Sequence, residues 1–349
     1  MIEALSRLLK QRVNGLERIG GGRNSQVYKV AVDGLTPGAS QHFALKVYFR
    51  HAADKRDRLG TEYYSFSYLW ANSFREIPEP VVNEPELGWA VYQFIEGEKI
   101  FPGEAMESDV LAAADFLGRL RELSRKAESR NLGVASEAFF GVGLTVENLK
   151  QRLERLRAAD GESPLHHELR SFLEQELGPL IERVIPWSEA RLQTAGMSFA
   201  RELGWEQRTL SPSDFGFHNA LRQPDGRIIF LDFEYFGWDD PAKMIADFLL
   251  HPAMELSTEL KQRFASAIFQ RFSDWPGLQA RVESVYPLFG LKWCLILLNE
   301  FLTDSLQRRQ FAATAAADRS ALQVQQLDKA RRMLQRIGRE YQSFPYRHE

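Results

Sequence analysis

Between residues 13 and 48 the chain carries three runs of strand-forming residues, with no segment between them that reads as a helix. LERIG and SQVYKVAV are separated by the glycines Gly20, Gly21 and Gly22, and HFALKVYF follows the Asp33-Gly34 and Pro37-Gly38 turns. Parallel strands need a crossover of about a dozen residues or more, usually a helix, so these connections predict an antiparallel sheet and exclude a βαβ nucleotide fold at this end of the chain. Alternation along HFALKVYF places Phe43, Leu45 and Val47 on one face and Ala44, Lys46 and Tyr48 on the other.

The pattern then turns helical from Ala53 to about Phe74, where Leu59, Tyr63, Phe66, Leu69 and Trp70 form an apolar stripe. Two short strands are expected around 80–83 and 88–94, with Ile95-Glu96-Gly97-Glu98 as a connector. Beyond it the segments 108–128, 146–159, 166–184, 187–203, 257–273, 283–306 and 318–342 are helical in composition, interrupted by a hairpin near 220–232. The expected architecture is α+β, with a small antiparallel-sheet lobe at 1–96 and a larger, mostly helical lobe at 97–349.

Composition removes several function classes. Lys and Arg total 44 against 47 Asp and Glu, a net charge of −3, which offers no global footprint for nucleic acid. The single cysteine, Cys294, rules out an intrachain disulfide and a Cys-based zinc site, and reads as a small buried hydrophobe. The start MIEALSRLLKQRV has charges throughout and no apolar signal-peptide region, and no apolar run is long enough to span a bilayer. The expectation is a soluble cytoplasmic protein without membrane or nucleic-acid partners. The sequence does not set an oligomeric state.

The chemistry concentrates between Ser211 and Asp247. Asp214 and Asn219 stand five positions apart, and Asp232 follows the Asp225-Gly226 turn and the apolar run IIFL. An acid, an amide and a second acid brought together this way can orient a hydroxyl and hold Mg²⁺ against phosphate. Asp214-Phe215-Gly216 spells the metal-binding tripeptide of protein kinases. However, residues 191–213 contain no Asp or Asn to serve as an upstream catalytic loop, so the metal role passes to Asp232. Upstream, Lys46 in its apolar strand must either reach the sheet edge or serve something buried, and Glu62 on the next helix is placed to pair with it. The segment GGGRNS is either a plain turn or a hairpin whose backbone N–H groups at Gly21 and Gly22 approach phosphate, with Asn24 and Ser25 adding polar contacts. Asp240-Pro241 starts a helix with Asp240 as its cap, and Asp247 braces the loop. Glu234, Asp239 or Asp240 could instead meet a cationic substrate. His218 either contacts phosphate or packs.

Taken together, GGGRNSQVYKV, FALKVY, the Glu62 helix, YQFIEGE, SDFGFHN, IIFLDFE and DDPAKMIAD resemble the aminoglycoside phosphotransferase and choline kinase family, small-molecule kinases with a protein-kinase-like fold. The resemblance implies ATP bound between two lobes, with adenine against Gln93, Phe94 and Ile95. It further implies Lys46 on the phosphates and paired to Glu62, Asp214 accepting or orienting the acceptor hydroxyl's proton, and Asn219 and Asp232 holding Mg²⁺. The acceptor would be a sugar, amino alcohol or related small molecule; the alternative is a nucleotide-binding pseudokinase without turnover. The family usually has His-Gly-Asp where this chain has Pro212-Ser213-Asp214.

Overall fold

The sheet forms as the alternation dictates. In the computed structural model, which describes residues 1–21, 24–34, 40–50, 56–302 and 319–347, helix α1 (Ile2–Leu9) precedes strands β1 (Val13–Gly20), β2 (Ser25–Asp33) and β3 (Ser40–Tyr48). Helix α2 (Arg58–Ala71), β4 (Pro80–Glu84) and β5 (Trp89–Gln93) follow. The five strands form one antiparallel sheet in the order β1-β2-β3-β5-β4. Leu5, Val13, Val30, Val32, Phe43, Leu45, Trp89 and Val91 make the core on one face. Lys46 and Tyr48 point to the other, as period-two alternation requires.

The described residues divide into two compact units. The first comprises Met1–Ile100 together with Asn219–Phe236, so the hairpin of the chemistry-bearing stretch belongs to the sheet unit. There β6 (Glu98–Lys99) pairs with β8 (Ala220–Arg222), which pairs with β9 (Ile228–Phe230). Gly226 turns that hairpin at φ +86°.

The second unit carries helices α3 (Glu107–Leu123), α4 (Val142–Arg157), α5 (Pro164–Phe172), α6 (Gly178–Thr194), α7 (Pro241–Leu250), α8 (Thr258–Arg271), α9 (Leu278–Leu297) and α10 (Arg319–Glu340), with the short strands β7 (Thr209–Ser211) and β10 (Gly237–Asp239) paired antiparallel. One sequence expectation is corrected here. The break expected between 184 and 187 is absent: α5 and α6 join through one widened turn at Leu173–Leu177, and Pro186 lies inside α6. Burial of Leu180, Ile181, Val184 and Leu192 carries the helix across a proline that costs a lone helix about 3 kcal/mol. The helix also does not reach Leu203. Gly196 takes φ +71° and the Met197 N–H donates to the Leu192 carbonyl (2.9 Å), which ends it.

Candidate active site

In the sheet unit, Lys46 is the centre of a buried charge cluster. Its Nζ lies 2.5 Å from both Glu62 Oε2 and Asp232 Oδ1, and the Tyr48 hydroxyl donates to Glu62 (2.7 Å). Three elements build this: β3 presents Lys46 away from the core, α2 presents Glu62 on its buried face, and the hairpin delivers Asp232 after β9. Asp232 itself sits at φ +66°, a left-handed conformation that non-glycine residues adopt only when their surroundings hold them there. The Leu231 N–H donates to the Asn219 carbonyl (2.8 Å), so the hairpin sets Asn219 beside the residue preceding Asp232.

Glu234 extends the cluster. Asn24 Nδ2 donates to Glu234 Oε1 (2.6 Å) and to the Tyr235 hydroxyl (2.7 Å), and Arg58 Nε lies 3.5 Å from Glu234 Oε1. Glu234 Oε2 is buried without a hydrogen-bond partner. Two basic side chains therefore face three carboxyl groups in this cluster. Burial lifts the Glu62 carboxyl to about 7 against the opposing pull of Lys46, with the Asp232 charge adding to the rise. Burial works against a charged Lys46 but is outweighed by Asp232, Glu62 and Glu234, which hold its pKa well above the usual lysine value.

Gly21 is positioned by a close backbone approach: a Cβ there would stand 2.5 Å from the Ser25 carbonyl oxygen, so only glycine fits. Ser25 begins β2 and is buried. Gly22 lies outside the described residues. Gln93 ends β5 opposite Phe43, and its backbone N–H donates to the Glu79 carbonyl (2.8 Å). The Phe94 ring is met by Lys29 Nζ at 4.6 Å and by the edge of His42. Ile95 is half-buried just beyond it.

Asp214 belongs to the helical unit. His218 Nε2 and His251 Nε2 each lie 3.3 Å from its Oδ1, and the two imidazole rings stack with centroids 3.9 Å apart. Burial raises the Asp214 carboxyl, yet the hydrogen bonds and charges of the two histidines outweigh it and hold its pKa well below the usual carboxylate range. Burial lowers the His251 imidazole, and the charge of His218 adds to that. Sequence reasoning singled out His218 without a role and missed His251. The latter lies 37 positions from Asp214 in a loop with no motif, and only the fold brings them together.

Behind Asp214, Ser213 stands at φ +69°, a left-handed conformation. Its Oγ donates to the Ser136 carbonyl (3.0 Å) and receives Lys243 Nζ (3.2 Å). Lys243 in turn pairs with Asp239 (2.8 Å) and Asp247 (3.2 Å), and Asp247 accepts the Trp293 indole N–H (3.0 Å). Asp240 caps α7 through the Ala242 N–H (2.8 Å), as expected, and accepts two hydrogen bonds from Arg281 (2.9 and 2.6 Å). The reading of Asp239 or Asp240 as contacts for a cationic substrate is corrected. Both are buried and neutralised by internal cations, so neither has charge to offer a ligand.

Next to Ser136, Glu137 Oε2 meets Arg152 (2.6 Å) and Lys292 (3.2 Å). Burial raises its carboxyl, but Lys292 and Arg152 outweigh that and bring it from 4.5 to about 2. A group whose folded pKa is depressed stabilises above its unfolded value and loses that contribution as pH falls through the folded one. Urea midpoints followed from pH 5 to 2 should therefore fall less steeply for Glu137→Gln than for the wild type. The difference should be modest, because this carboxylate is 40% exposed and solvent screens the pair.

The sheet unit and the helical unit define a protein-kinase-like phosphotransferase fold. A family model described as the phosphotransferase enzyme family (APH) matches residues 15–281, and the chain belongs to that family. The fold is similar to spectinomycin phosphotransferase APH(9)-Ia, solved with ADP and spectinomycin: TM-score 0.65, 13% identity, 98% of this chain and 97% of that one covered. It is also similar to choline kinase from Cryptosporidium parvum Iowa II (TM-score 0.57, 12% identity, 95% and 93% covered) and to choline kinase LicA from Streptococcus pneumoniae (TM-score 0.56, 15% identity, 96% and 97% covered). No curated protein matches by sequence. Among the described residues, no helix is long and apolar enough to cross a membrane.

Proposed function

We propose that this chain is an ATP- and Mg²⁺-dependent phosphotransferase that acts on a hydroxyl of a small molecule such as a sugar or amino alcohol. The observation that carries the reading is Lys46 Nζ, held at 2.5 Å from both Glu62 and Asp232. An ammonium fixed by two carboxylates is pre-aimed at phosphate oxygens and has no rotamer search left to make. The donor set fits Mg²⁺: Asp232 and Asn219 offer hard oxygens, and the unpartnered Glu234 Oε2 marks charge that a cation would offset. The bound ion would neutralise charge on the transferring phosphoryl group.

Glycine-loop residues Gly21, Gly22, Asn24 and Ser25 would approach the phosphates, and Gln93, Phe94 and Ile95 the adenine. Asp214 would orient the acceptor hydroxyl. Its low pKa suits orientation and charge more than strong proton abstraction, as phosphoryl transfer through a loose transition state needs. We assign nucleotide binding to residues 1–96 and substrate binding to 97–349, with Asn219 and Asp232 supplied from the later segment. A cytoplasmic setting accords with the lone, buried thiol of Cys294.

Mg²⁺-dependent ATP consumption over a panel of sugars, amino alcohols and nucleosides tests the reading, with Asp214→Ala as control. At least one acceptor should stimulate the wild type and leave the variant at background. Equal low hydrolysis by both proteins on every acceptor would sink the enzyme reading, and ATP binding without turnover would favour a pseudokinase.

A further inference from the structure

We propose that His251 is a positioning residue for Asp214, acting as a neutral Nε2–H donor that fixes the plane of the carboxylate, with His218 stacked on it as a second donor to the same oxygen. The inference rests on the reading of Asp214 as the group that orients the acceptor hydroxyl, and it adds a residue that no sequence motif marks.

The tautomer follows from the partners of the ring. The Ala253 backbone N–H donates to His251 Nδ1 (3.3 Å), so Nδ1 presents its lone pair and the single proton of the neutral imidazole sits on Nε2. That nitrogen faces Asp214 Oδ1 at 3.3 Å. The ring cannot turn away without losing both bonds. It is stacked on His218 on one side, and Trp293 meets it at 4.6 Å with an interplanar angle of 77°. Trp293 is itself tied to Asp247, and Asp247 through Lys243 to Ser213, the residue before Asp214. The carboxylate is thus held twice: through its side chain by the imidazoles, and through its backbone neighbour by Lys243. His218 reaches the same oxygen, while its Nδ1 is buried without a partner. Placing the His218 proton on Nε2 leaves a bare lone pair there instead of an unsatisfied N–H. Two Nε2 donors on one oxygen fix the orientation of the carboxylate.

Two variants separate orientation from packing. His251→Phe keeps a ring between His218 and Trp293 but removes the donor; His251→Gln keeps an N–H donor near the place of Nε2. With an acceptor found as above, His251→Phe should lower kcat by up to about 100-fold, the cost of a misplaced reacting group, with KM for ATP nearly unchanged. His251→Gln should recover most of that loss. Imidazole ¹⁵N shifts at neutral pH, assigned with the Gln variant, should show His251 in the Nε2–H form.

A His251→Phe enzyme with wild-type kcat overturns the proposal, as does a Gln variant impaired as badly as Phe. A ring in the Nδ1–H or imidazolium form overturns it also. Wild-type protein without turnover on any acceptor would overturn the functional reading and the kinetic role together, while the ¹⁵N shifts would still decide whether His251 donates to Asp214.

Discussion

A Lys46→Met variant should lose about 10²- to 10³-fold in turnover, the usual cost of removing one pre-aimed electrostatic group from a transition state. Methionine has similar reach and fills the same space, so the β3 pairing and the core face are untouched. What disappears is the charge between Glu62 and Asp232. Stability should fall as well, with a characteristic pH signature. Without the ammonium, Glu62 keeps only the burial and the Asp232 charge that raise its pKa, together with the Tyr48 hydrogen bond that resists. A folded pKa lifted above the unfolded value means the native state binds the extra proton, so stability falls as pH rises through that window. The deficit relative to wild type, measured by urea unfolding, should be larger at pH 8 than at pH 5. A deficit independent of pH would show that Glu62 does not carry the unbalanced charge.

The second large effect lies in the helical unit. Arg281 is among the largest fully buried side chains and donates through Nε and Nη2 to Asp240 Oδ2. Arg281→Met should cost about 3–5 kcal/mol, because it leaves the Asp240 carboxylate buried without its cation. The double variant Arg281→Met, Asp240→Asn should recover part of that loss, since no stranded charge remains and an asparagine can still cap α7. Denaturant unfolding of the three proteins measures the coupling; strictly additive losses would mean the pair does not act as a pair. Helix α7 also carries Lys243 and Asp247, which contact Ser213 and Trp293 beside Asp214.

Several features were legible in the chain. Lys46 and Glu62 stood out because a lysine in an apolar strand needs an acidic partner, and the next helix offered one; that Glu62 is buried came from the fold. The 220–232 hairpin was readable from Asp225-Gly226 and the run IIFL, since turn chemistry and β-branched residues act over a few positions. Pro186 misled, because a proline's local penalty is visible in sequence while the packing that offsets it is not. Asp239 and Asp240 misled for a related reason: an acidic pair looks like a ligand surface until Lys243 and Arg281 are found closing on it.

By itself, then, the sequence determined the kinds of element, the face on which Lys46 lies and the N-terminal cap at Asp240, and it marked Asp214, Asn219 and Asp232 as candidates. These depend on periodicity, turn residues and spacing, all of them short-range. The tertiary structure alone decided that Ser213 and Asp232 take left-handed backbone conformations, that Asn24 hydrogen-bonds Glu234, and that His251 Nε2 comes within 3.3 Å of Asp214. Those contacts link residues 37 to 210 positions apart. No local preference encodes them, and they exist only once burial of the apolar faces has set where each strand and helix ends.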